Sequence, residues 1–118
     1  MELNEYQERA MRTRLPESDN FCYMIFGLVE EVGELAGKIS KNIRKDLANI
    51  QDNELYVVEE EKAAIEDAVR KELGDVMWMV AGVADELGWK LEDVCRENLD
   101  KLADREKRGK INGSGDNR

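Results

Sequence analysis

From Phe21 to Ile39 the apolar residues Phe21, Ile25, Leu28, Val32, Leu35 and Ile39 recur at three- and four-residue steps, a spacing that only a helix turns into one face. A second run does the same, from Val57 or Val58 through Ile65, Val69, Leu73, Val76, Met77 and Val80 to Leu87. Pro16 is the single proline, so no proline interrupts either stretch. The spacing predicts two long helices, one capped by Ser18 or Asp19 and running to about Lys45, the other closed by Gly88. A short helix over residues 3–13 precedes them, stopped by Pro16-Glu17-Ser18-Asp19. A fourth, over residues 91–108, follows with Val94, Cys95, Leu99 and Leu102 inward. Residues 46–53, with Asn49, Asp52 and Asn53, break the pattern and read as a loop. Residues 110–118 are glycine-rich and read as a flexible tail. The expected fold class is all-α, with a four-helix bundle-like core in a single domain spanning residues 1–118.

Composition narrows the chemistry. A formal charge of −9 disfavours a nucleic-acid polymer as partner, because backbone binding needs a basic face. Histidine is absent, which removes imidazole acid-base catalysis, Ser-His-Asp triads, zinc hydrolysis on imidazole ligands and the Glu-x-x-His arrangement of di-iron bundles. Cys22 and Cys95 have no metal-type spacing and are too few for a disulfide framework, so both read as reduced packing residues. The first residues are charged where a signal peptide is apolar, and no run approaches the length of a membrane span. A cytoplasmic protein without a membrane partner is expected.

Glu30, Glu31 and Glu34 project within an arc of roughly 100° on the second helix, on the flank opposite its apolar residues. Glu72 and Asp75, three apart on the third helix, lie about 60° from each other. If these helices pack antiparallel, the two acidic sets can face each other. Clustered carboxylates repel unless a cation lies among them. All the available ligands are oxygens, which favours Mg²⁺, with Mn²⁺ as a substitute, over zinc or copper. A solvated acidic helix face is the plain alternative in a chain with 27 acidic residues. Against it, Gly33 and Gly74 each sit in mid-helix inside an acidic motif, where glycine costs about 1 kcal/mol relative to alanine. Close approach of a second helix or of a ligand would explain both.

Glu30-Glu31-Val32-Gly33-Glu34-Leu35 followed by Glu72-Leu73-Gly74-Asp75-Val76 resembles the paired acidic motifs of the MazG-like all-α nucleoside triphosphate pyrophosphohydrolases. Tyr6-Gln7, Glu97-Asn98-Leu99-Asp100-Lys101-Leu102 and the Gly115-Asp116-Asn117-Arg118 ending extend the likeness over nearly the whole chain. The resemblance implies Mg²⁺-dependent hydrolysis between the α and β phosphates, giving a monophosphate and pyrophosphate. It implies that Glu31, Glu34, Glu72 and Asp75 bind the metal and that Glu30 orients or deprotonates the attacking water. Asn98 and Lys101 would face the phosphates or sugar, with Lys38 and Arg105 assisting. One departure is the connection of 37 residues between Glu34 and Glu72, longer than is usual in the family, which the sequence reading assigns to two extended helices.

Trp78 reads as core or interface and Trp89 as cover for a helix end, while Tyr6, Gln7 and Phe21 are open as neighbours of the base. So short a chain has difficulty covering long apolar stripes alone, and the resemblance points the same way, to a homodimer or homotetramer that completes the core. A different reading remains, a non-catalytic helical oligomer that binds nucleotide and metal as a sensor, or serves as an interaction module.

Overall fold

The computed structural model describes residues 1–116. Helix α1 (Leu3–Met11) ends before Pro16, which opens a short 3-10 turn, Pro16–Ser18. Asn20, rather than Ser18 or Asp19, caps the next helix: its side-chain oxygen accepts from the backbone N–H of Tyr23 at 2.8 Å. Ser18 is spent inside the preceding turn, where its hydroxyl accepts from Leu15 N and donates to Leu15 O. Helix α2 then runs Phe21–Arg44, helix α3 Lys62–Glu86 and helix α4 Leu91–Lys107. Gly88, at φ +74°, takes the left-handed conformation that ends α3. The all-α assignment holds for the frame of the molecule.

Between α2 and α3 the expected loop is a small hairpin. Strand β1 (Ala48–Gln51) pairs antiparallel with β2 (Glu54–Val57) in the register Ala48 to Val57 and Gln51 to Glu54. Asp52 and Asn53 form the two-residue turn, both at positive φ (52° and 66°), the geometry that lets a tight turn follow the strand twist. Asn and Asp tolerate that conformation better than other non-glycine residues. The long connection is therefore folded into a hairpin and a 3-10 turn, Glu59–Glu61, instead of lengthening the helices, and α3 starts at Lys62 rather than at Val57 or Val58.

Helices α2 and α3 pack antiparallel, as the pairs Met24 with Gly82 and Gly27 with Met79 establish. Each glycine receives the methionine of the facing helix, so the two backbones approach closely at this point. Helix α1 crosses this end of the hairpin of helices, and the core lies there, in Ala10, Met11, Met24, Met79, Ala81 and Leu91. Buried Gln7 joins three segments: its amide N–H donates to Ala81 O and Trp89 O, and its oxygen accepts from Leu91 N. These bonds close the fold. Trp78 packs on the same core and donates to Ala10 O and Thr13 Oγ1. Arg14 pairs with Asp19, Asp85 and Glu86, pinning the first turn to the end of α3.

Several apolar expectations are corrected. Phe21 and Val32 are exposed, and the α2 stripe that meets α3 runs through Met24, Gly27 and Glu31. On α4, Leu99, Leu102 and Val94 are exposed while Leu91 is buried, because α4 meets the rest of the chain mainly through its first turns. Cys95 packs against the core, whereas Cys22 lies exposed; both are free thiols. The open space above Gly33 and Gly74 shows that neither accommodates a neighbour within this chain.

Candidate metal centre

One turn beyond Gly27 on α2 comes Glu31, and one turn before Met79 on α3 comes Asp75, with Glu72 a further turn back. The tight helix contact therefore leads directly into an acidic cluster. Glu31, Glu72 and Asp75 each offer an oxygen, and the three oxygens lie within 4.8 Å of one another. Glu31 Oε2 and Glu72 Oε2 are buried and have no hydrogen-bond partner. Two orphaned carboxylate oxygens between helices carry a high desolvation cost unless something positive meets them.

The electrostatics agree. Burial, then the like charges of Glu34 and Asp75, push the Glu31 carboxyl up to about 6. Tyr6 reaches the same place from α1: burial, and then the Asp75 charge, raise its phenol above the ordinary value. Lys38 supplies a local counter-charge, its Nζ 3.4 Å from Glu72 Oε1. An all-oxygen, mostly anionic donor set with unpaired buried oxygens fits a hard divalent cation.

Glu34 stands beside Glu31 but outside the three-oxygen set, and shares a recess with Gly37, Lys38, Lys41 and Glu72. Glu30 is exposed and lines a cleft next to Glu31. The α4 residues lie apart. Asn98 is exposed, Lys101 pairs with Asp116 at 3.4 Å, and buried Arg105 donates to the carbonyls of Gly115 and Asp116. These two cations hold the Asp116 carboxyl below its ordinary value. Among the described residues, none of the three touches the acidic cluster of its own chain, and Asn117 and Arg118 lie outside those residues.

Lys41 and Tyr23 at the rims of these clefts escaped the sequence reading, since one exposed lysine or tyrosine on a charged helix gives no signal. Gly27 and Gly82 escaped it too, although each falls on the stripe that carries Met24 or Met79.

Residues 22–109 match the MazG nucleotide pyrophosphohydrolase domain, which takes in both acidic pairs and all of α4. The chain belongs to the MazG nucleotide pyrophosphohydrolase family. It is also 39% identical over 126 residues to the Gene 37 protein of Mycobacterium phage L5, with both chains covered in full. No solved structure matches it. The family is one of nucleotide pyrophosphohydrolases, so the cleft beside the acidic cluster is the place to look for a nucleotide. No helix among the described residues is long and apolar enough to cross a membrane.

Proposed function

We propose that this protein hydrolyses nucleoside triphosphates, ribo or deoxyribo, between the α and β phosphates, releasing a monophosphate and pyrophosphate in the presence of Mg²⁺. The observation that carries the reading is the meeting of Glu31, Glu72 and Asp75 with two buried, unpaired oxygens at the contact of α2 and α3. Glu31, Glu72 and Asp75, with Glu34 at the edge, would hold the ion. A divalent cation in such a site neutralises polyphosphate charge and lowers the pKa of water. The chain's own part is to exclude bulk water, align the phosphates and take a proton. Glu30, exposed in the adjoining cleft, is the proton acceptor in this mechanism, and Lys38 turns its ammonium toward the departing pyrophosphate.

We take residues 1–118 as one domain working in the cytoplasm as a homodimer or homotetramer. The radius of gyration is 17.5 Å, against about 13.5 Å for a compact chain of this length. Val29 and Val32 are 69% and 48% exposed on α2, an apolar surface that a second copy would cover. In such an assembly Asn98, Lys101 and Arg105 would serve a neighbouring protomer's phosphates.

Incubation of the protein with Mg²⁺ and a panel of ordinary and modified NTPs and dNTPs, with products resolved, tests the reading. Monophosphate plus pyrophosphate from at least one substrate is expected. Diphosphate plus phosphate, or no turnover while nucleotides still raise the Tm, would overturn it.

A further inference from the structure

The acidic cluster has a recess on each side along α2, and the two recesses differ in chemistry. Toward the start of the helix, a cleft of about 490 Å³ is lined by Tyr23, Phe26, Gly27 and Met79 and ends at Glu30 and Glu31. Tyr23 and Phe26 are 44% and 70% exposed, so both rings offer a free face beside it. Toward the end of the helix, a recess of about 330 Å³ is lined by Glu34, Gly37, Lys38, Lys41 and Glu72. The order along α2 is thus an aromatic pair, carboxylates, then two ammonium groups.

We propose that a nucleotide lies along α2 in one direction only, with its base on Tyr23 and Phe26, its α-phosphate at Glu31, Glu72 and Asp75, and its β- and γ-phosphates at Lys38 and Lys41. This rests on the pyrophosphohydrolase reading and adds the base subsite and the polarity of the substrate. The helix rises about 7.5 Å from Phe26 to Glu31 and about 10.5 Å from Glu31 to Lys38. Those spans suit a nucleoside on one side and two phosphates met by long lysine arms on the other. The reverse direction sets the most anionic end of the substrate beside Glu17 and two uncharged rings, and leaves the lysines facing a base.

The subsite grips the face of a base more than its edge. Of the Asn20 amide, the oxygen already accepts from Tyr23 N and one N–H already donates to Glu17 O, which leaves one N–H for a base edge. Stacking serves every base, because each has a π-face. The substrate class is therefore broad in base, with purines favoured through their larger face.

Calorimetric titration of the whole protein with adenosine monophosphate, uridine monophosphate and inorganic pyrophosphate, each with Mg²⁺, tests the orientation without relying on turnover. Phe26→Ala is expected to weaken both monophosphates about tenfold, the factor worth one stacked base, with pyrophosphate unchanged. Lys41→Ala is expected to do the reverse, and Phe26→Tyr to keep the monophosphate affinity. Equal loss of monophosphate and pyrophosphate in Phe26→Ala overturns the orientation. So does unchanged monophosphate binding accompanied by a smaller assembly in size-exclusion light scattering, which would make Phe26 an interface residue. A wild-type protein that binds monophosphates through Phe26 but releases no pyrophosphate removes the hydrolase reading and leaves the orientation standing. Normal hydrolysis with unaltered KM in Phe26→Ala does the opposite.

Discussion

The side chain of Met24 occupies the space that a Cβ on Gly82 would need, its sulfur 2.2 Å from where that atom would stand. Met24 is fully buried and has nowhere to retreat. Gly82→Ala is therefore expected to destabilise the fold by about 1–3 kcal/mol, the usual cost of overpacking. Gly27→Ala meets only the far end of Met79 and should cost less. At Gly33 and Gly74, where nothing lies within 4 Å, alanine should gain up to about 1 kcal/mol in an isolated chain. Denaturant unfolding of the four variants checks this order, and a loss at Gly33 or Gly74 would reveal a second copy or a ligand in that space.

Glu72→Gln and Asp75→Asn are each expected to weaken Mg²⁺ binding by about 10- to 100-fold, at least the loss seen when partners of metal ligands are removed. Titration calorimetry with the metal alone reads this directly. Unchanged affinity in Asp75→Asn would take Asp75 out of the site.

Glu30→Gln separates chemistry from binding. Metal and nucleotide affinity should persist while the rate falls about 100-fold or more, as for loss of a general base. Full activity in this variant would remove Glu30 as the proton acceptor.

Mg²⁺ affinity should fall as the pH drops through about 6, because the Glu31 carboxyl titrates there in the metal-free fold. The sign for stability follows from the same shift. A carboxyl raised in the folded state binds its proton more tightly there than in the unfolded chain, so Glu31 favours folding below its ordinary value. That contribution is lost as the pH rises through about 6. Melting curves without metal should show the loss and melting curves with Mg²⁺ should offset it; a flat profile would contradict the buried setting of Glu31.

The helices and the identity of the acidic residues were legible because 3.6-residue periodicity and paired carboxylates are local signals. The face they occupy was not. Glu31 lies on the inward stripe with Met24 and Gly27, where a hydrophobic pattern expects another apolar residue, while Val32 and Phe21 turn outward. This acidic cluster inverts the rule that polar residues point away from a helix contact. The β1–β2 hairpin was hidden for another reason. Its strands have four residues each, three of the four in each strand are exposed, and its turn uses Asp52 and Asn53 without the glycine that marks most such turns. For α4, periodicity expected Val94, Leu99 and Leu102 to turn inward, but among the described residues no element covers them and all three are exposed.

Gln7 leaves the ribosome well before the groups that satisfy its amide, which lie 74, 82 and 84 positions later in the chain. During synthesis α1 must therefore wait, its polar clasp unfilled, until α3 is complete and the first turn of α4 has emerged. At about 5–20 residues per second that interval is several seconds. The nascent protein thus closes between distant segments, and a chain stalled before Leu91 would carry the whole acidic cluster while the Gln7 oxygen still lacked its donor on α4.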